Sequence, residues 1–165
     1  MHVRVAKLED IPSIVSLGRS LLEAHVGYDF DYYQLEGNFD ELFATWAKEQ
    51  INASYQFLFV AEDEILEGNE GKTSPIIGFV SGFLKALYPW FKTKAVGHIS
   101  FLIVNSSYRQ KGIGTFLEDK AKEWFLSKNI SYVEVYVEEK NSIGQIAWDK
   151  YGFLPFKKFL RKKIT

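Results

Sequence analysis

With 165 residues, 47% hydrophobic and 16% aromatic, the chain can fill one core and has no room for two, so a single domain over residues 1–165 is expected. A formal net charge of −1 argues against a general nucleic-acid binder, and a chain without cysteine has no disulfide, thiolate metal site or cysteine nucleophile. The opening MHVRVAKLEDIP has no apolar signal stretch, and no apolar run approaches the roughly 20 residues of a spanning helix, so a cytoplasmic protein is expected.

Val3 and Val5 alternate with His2 and Arg4, which predicts a short strand. Asp10 stands where a helix cap is wanted and Pro12 is tolerated in a first turn. Ile11, Ile14, Val15, Gly18, Leu21 and Leu22 then form one stripe at helical spacing. From His25 to Asn38 the pattern dissolves into aromatics and acids, HVGYDFDYYQLEGN, a surface connection. A second helix is predicted over Phe39 to Gln50, a strand over Phe57 to Ala61 and a polar hairpin loop over Glu62 to Ser74. Ile76 to Leu84 is the next strand, where Gly78 and Gly82 mark bends or bulges. The turn Tyr88-Pro89-Trp90-Phe91 reads as a hydrophobic plug in preference to a lid.

The most informative stretch comes next. Val96 to Val104 is rich in Ile, Val and Phe and reads as a strand, while Ile113, Phe116, Leu117, Ala121, Trp124 and Phe125 share one helical face. Between them lies Arg109-Gln110-Lys111-Gly112-Ile113-Gly114. A strand that turns through two glycines into a helix gathers free amides at the positive end of the helix dipole, which suits phosphate. A dinucleotide fingerprint would need glycine where Leu117 stands, and no Walker A run exists. After the helix, Tyr132 to Val137 alternates with Val133, Val135 and Val137 on one side, so the two strands are parallel neighbours. Asn141 opens a last helix, Ser142 and Gln145 have capping-box spacing, and Gly152 suits the helix end. Phe156 to Thr165, with five basic residues, reads as a solvated edge strand.

The string LIVNSSYRQKGIG resembles the acetyl-CoA signature of the GNAT superfamily of acyl-CoA N-acyltransferases. The segment NSIGQIAWDKYGF, Asn141 to Phe153, is similar to that superfamily's second block, in which an asparagine starts a short helix that Gly-Phe closes. The resemblance implies an α/β fold with a mixed sheet: mostly antiparallel and twisted, with a parallel splayed strand pair and about four helices. It implies acetyl-CoA as cosubstrate, its pyrophosphate on Gln110, Lys111, Gly112, Ile113, Gly114 and Thr115, with charge added by Arg109 and Lys111. Pantetheine and the thioester carbonyl would meet the main chain of Leu102, Ile103 and Val104, with Asn141 opposite. The implied reaction carries acetyl to a primary amine of a small molecule, protein or peptide by direct attack in a ternary complex.

Such a transfer needs a neutral amine, a polarised carbonyl and a proton for the departing thiolate. Many superfamily members use a carboxylate in the central strand, but Ala95 to Val104 has none. His98, placed by alternation on the face of Ser100, Leu102 and Val104, is the candidate base. Where many members carry a proton-donating tyrosine, seven residues past the asparagine, this chain has Trp148. Tyr151 is the nearest candidate acid; Tyr136 and solvent are alternatives. The resemblance also makes the connection between the first two helices a wall of the acceptor site, where Asp29 and Asp31 among Tyr28, Phe30, Tyr32 and Tyr33 would suit a cationic amine. His2 and His25 have no ligand spacing to His98, so no metal site is expected. Two rivals remain: a catalytically weak acyl-CoA-binding regulatory domain of the same fold, and a nucleic-acid module using the basic end. Neither nucleic acid nor membrane is an expected partner, and the sequence leaves open the acceptor's identity and the oligomeric state, a homodimer included.

Overall fold

Five strands form one sheet in chain order: β1 (His2–Val5), β2 (Gln56–Glu62), β3 (Ile76–Ala86), β4 (Ala95–Val104) and β5 (Val133–Val135). They belong to a computed structural model that describes residues 1–63 and 74–164. The first four strands run antiparallel, and β5 is parallel to β4. The reason is the helix α3 (Ile113–Ser127), which carries the chain back across the sheet between them. Three further helices are α1 (Ile11–Tyr28), α2 (Phe39–Asn52) and α4 (Ser142–Lys150). This is the mixed sheet with a parallel pair that the resemblance implies. The expected hairpin loop lies, from 64 to 73, outside the described residues.

Strand alternation sorts the core into two halves. Ile14 and Leu17 of α1 and Phe39, Phe43 and Ala47 of α2 pack on Leu58, Val60, Phe79 and Ile103 on one sheet face. Ile113, Leu117, Ala121 and Phe125 of α3 pack on Phe57, Phe59, Val80 and Ile99 on the other.

One irregularity decides what the site looks like. Ser81 of β3 opposes Phe101, but its neighbour Gly82 opposes Ile99, so Ser100 is an extra residue in β4. The extra residue reverses the alternation. Ile99 faces α3, Phe101 and Ile103 face α1 and α2, and Leu102 and Val104 face α3 again. The expectation that His98 shares a face with Leu102 and Val104 is therefore corrected, because simple alternation does not survive a bulge. His98 lies on the α1/α2 face.

Other expectations change for local reasons. Asp10 does not cap α1 with its side chain: its carboxylate accepts bonds from Arg4 Nη1 (2.7 Å), Arg4 Nη2 (2.9 Å) and the Lys7 amide (2.7 Å). A guanidinium fork outcompetes neutral helix amides for a buried carboxylate. Helix α1 runs past His25 to Tyr28, and the His25 ring bonds to Leu21 O (2.9 Å). The ladder of β5 stops at Val135, short of the expected Val137. Tyr88 and Trp90 stack on each other (4.8 Å, 5° between planes) with Trp90 73% exposed, so the turn plugs nothing. The final segment forms no strand, and its Lys157 and Arg161 are drawn to separate carboxylates, Glu134 and Asp29.

Candidate active site

The turn after β4 is built for exposed amides. Asn105 Oδ1 accepts the Ser107 amide (3.0 Å), and Arg109 folds back so that its Nε donates to Val104 O (3.2 Å). Gln110 (φ 64°) and Gly112 (φ 81°) both occupy the left-handed region on either side of Lys111. Such alternation turns successive N–H groups into a concave anion seat. Gly112 is also the N-cap of α3, whose first bonds run from the Thr115 (3.0 Å) and Phe116 (3.2 Å) amides to Gly112 O. The amides of Ile113 and Gly114 thus precede the ladder, at the positive end of the helix. Ile113 is buried and anchors the turn, whereas Arg109 to Gly112 stay exposed, with Lys111 Nζ 5.0 Å over the Tyr108 ring. These residues fit a diphosphate.

Beside the turn lies an open strand edge. β5 pairs only with Gly97, His98 and Ile99, and among the described residues no strand covers that side of β4 from Ser100 to Val104. The main chain of Leu102, Ile103 and Val104 is therefore accessible to an extended ligand arm. Asn141 caps α4, its Oδ1 accepting the Gly144 amide (2.8 Å), which leaves Nδ2 as its donor toward a ligand. Because Asn141 fills the cap, the Ser142–Gln145 box does not form. Gln145 Nε2 instead donates to Glu138 O (3.2 Å) and Glu139 O (2.7 Å).

Tyr151 brings α4 against the start of α3. Its hydroxyl hydrogen-bonds the Thr115 side chain and sits where a β-carbon on Gly114 would be. Burial, and then the charge of Glu118, raise its pKa against the opposing Thr115 bond, so the phenol is protonated at neutral pH. Trp148 packs edge-on against Tyr151 (5.7 Å) and Phe153 (5.1 Å). Only the hydroxyl blocks Gly114, since the ring carbon Cζ would be 3.6 Å from the new methyl. Gly114→Ala is expected to destabilise the protein by about 1–3 kcal/mol, and by less than about half of that in a Tyr151→Phe background. Calorimetric melting of the four proteins checks this, and equal losses in both backgrounds would reject the contact.

The opposite face holds His98, 7% exposed, between the rings of Phe83 (5.0 Å) and Tyr136 (4.8 Å). Its Nδ1, like Ser81 Oγ, is buried with no hydrogen-bond partner among the described residues. Lys85 Nζ donates to Glu134 (2.9 Å) and to the Tyr136 hydroxyl (3.0 Å). Burial, then the charge of Lys85, push the His98 pKa below its usual 6.5, with Glu134 opposing. His98 and Tyr151 are thus separated by the sheet, and the tyrosine beside His98 is Tyr136. Lys85 and Glu134 escaped the sequence reading. The available signal was a lysine inside the apolar run Phe83 to Ala86 and an acid facing away from Val133 and Val135.

The connection after α1 leans on this face. Tyr33 donates to Glu138, which holds the phenol pKa up to about 12, with burial adding to the effect. Lys140 Nζ reaches Tyr28 O (2.7 Å). Asp29, expected to await a cationic amine, instead accepts a bond from Arg161 of the chain itself. Among the described residues no group of three or more histidines or acids is arranged to hold a metal ion, and no helix is long and apolar enough to cross a membrane.

An amide-lined turn, an open central strand edge and a protonated tyrosine at the helix start thus lie on one mixed sheet. The acetyltransferase (GNAT) family profile matches residues 19–153, and the chain belongs to that family. It is an acetyl-CoA-dependent N-acetyltransferase. No curated protein sequence matches it. Among solved structures, a tetramutant of the BH1408 protein from Bacillus halodurans is similar at 19% identity and a TM-score of 0.85, over 99% of this chain and 100% of that one. A predicted acetyltransferase from Clostridium acetobutylicum with acetyl-CoA is similar at 19% identity and 0.74, over 99% and 96%. The aminoglycoside N-acetyltransferase AAC(6')-Iy in complex with CoA is similar at 17% identity and 0.75, over 98% and 93%.

Proposed function

We propose that residues 1–165 form one cytoplasmic acetyltransferase domain that moves acetyl from acetyl-CoA to a cationic primary amine by direct attack in a ternary complex. The observation that carries this reading is the open edge of β4, with the amide-lined turn beyond one end and His98 at the other. The amides from Gln110 to Thr115 hold the diphosphate, with Arg109 and Lys111 adding charge. The main chain of Leu102, Ile103 and Val104 aligns the pantetheine arm and polarises the thioester carbonyl, while Asn141 Nδ2 steadies the arm from the helix. His98 takes the ammonium proton through water. Tyr151, protonated at neutral pH, supplies the proton that the departing thiolate accepts.

Aminoglycosides, named as substrates of AAC(6')-Iy, put polycationic amines first among acceptors to try. Free-thiol release from acetyl-CoA across aminoglycosides, polyamines, amino acids and peptide N-termini is expected to exceed the buffer rate for at least one cationic class. Tight acetyl-CoA binding without thiol release in any arm would leave only a binding domain. Light scattering on the same samples reads whether the enzyme works as a homodimer.

A further inference from the structure

The acids on the His98 face are already engaged by part of the chain. Lys157 Nζ lies 3.9 Å from Glu134 Oε1, the Phe159 ring lies 6.4 Å from Tyr136, and Arg161 pairs with Asp29 while its Cζ sits 4.3 Å over the Tyr32 ring. Contacts from residues 157, 159 and 161 recur with period two, the repeat of an extended peptide lying on a surface. The floor beneath them is the reaction face, since Glu134 is in register with His98 and Tyr136 touches its ring. We infer that the acceptor is an extended, basic segment of a polypeptide bearing the lysine to be acetylated, and that residues 155–164 occupy its place in this structure. This inference rests on the acetyltransferase reading above.

The hold on that segment is weak and made by side chains. No backbone hydrogen bond joins it to β5 among the described residues. The segment is exposed on both sides, with Phe159 87%, Phe156 77%, Leu160 86% and Ile164 86% exposed. Solvent-exposed ion pairs contribute little, so a chain of similar pattern displaces the segment readily. Residues 157 and 161 are roughly 13 Å apart at about 3.3 Å per residue, so one extended chain meets Glu134 and Asp29 at once through two basic side chains. An amine with a single charge meets one of these acids. The aromatic floor of Tyr32 and Tyr136 adds cation–π and apolar contact for alternate side chains. In the reaction, the bond from acetyl carbon to sulfur breaks and a bond to the lysine Nζ forms. One ammonium proton passes through water to His98, the thiolate takes one from Tyr151, and the second proton that the nitrogen loses restores the Tyr151 phenol by way of solvent.

The test uses the full chain with Lys157→Glu and Arg161→Glu combined, and as acceptors spermidine and a ten-residue peptide rich in lysine and arginine. The variant is expected to melt within about 2 °C of the parent, because both pairs are solvent-exposed. Its KM for the peptide is expected to fall about fivefold with the KM for acetyl-CoA unchanged. A synthetic copy of residues 155–164 with every lysine replaced by arginine, which offers no lysine to acetylate, is expected to compete with the peptide and not with acetyl-CoA. An unchanged peptide KM, no inhibition by the copy at millimolar concentration, or turnover of spermidine alone overturns the inference. Heat protection by CoA separates the two failures. If it persists while the peptide arms fail, only the peptide acceptor is lost; if it is absent, the acetyltransferase reading falls as well.

Discussion

Replacing His98 with alanine is expected to lower kcat by about 10²–10³-fold, within the usual range for removing a general base, and to leave the acetyl-CoA KM within about twofold. The ring faces away from the Leu102 and Val104 side chains, toward Tyr136, Lys85 and Glu134, so its loss acts on the amine and not on the cosubstrate. Burial and the Lys85 charge lower its pKa below 6.5, so the parent keeps a neutral base into mildly acidic solution and its acid limb in kcat/KM falls below pH 6.5. That limb is absent in the alanine variant. Stability follows the same sign. Below pH 6.5 the unfolded chain takes up a proton that buried His98 resists, so the folded state loses stability as pH falls through that value, and His98→Gln removes the slope. A kcat preserved at every pH would reject His98 as the base, and melting curves between pH 5 and 8 read the slope.

Gly112→Val is expected to weaken acetyl-CoA binding by about 30- to 150-fold, the equivalent of roughly 2–3 kcal/mol of conformational strain. The cause is conformational and not steric. A β-carbon at Gly112 meets nothing nearer than Phe116 at 3.8 Å, but φ is 81°. Valine cannot hold that angle cheaply, so the turn opens and the amides of Ile113 and Gly114 no longer converge. Gly112→Asn, which tolerates the left-handed region, is expected to lose about tenfold or less. Titration calorimetry with acetyl-CoA gives both values, and equal losses for valine and asparagine would show that the angle is not what matters.

The strand, glycine turn and helix start that the proposed cosubstrate half uses were legible because they are set by the main chain. Glycine at 112 and 114 and the strand-to-helix switch announce free amides whatever the neighbouring side chains do. Asn141 and the closing Gly152 were legible for the same reason, since caps are local. The acceptor half was not. His98 was singled out as the candidate base, but its face was misassigned because nothing in the local pattern of Ile99, Ser100 and Phe101 marks an inserted residue. Lys85 meets Glu134 across a gap of 49 residues, and Arg161 meets Asp29 across 132. Periodicity speaks only of neighbours along the chain, so such pairs stay silent until the sheet closes.

The extra serine in β4 has a kinetic corollary. Because the strand changes sides at that point, the site proposed above has nucleotide carrier and amine arriving from opposite surfaces of the same sheet and meeting only at the crossing. Each product then has its own exit. Departure of the modified amine need not wait for the spent carrier, so either can leave first and neither reactant blocks the other's doorway.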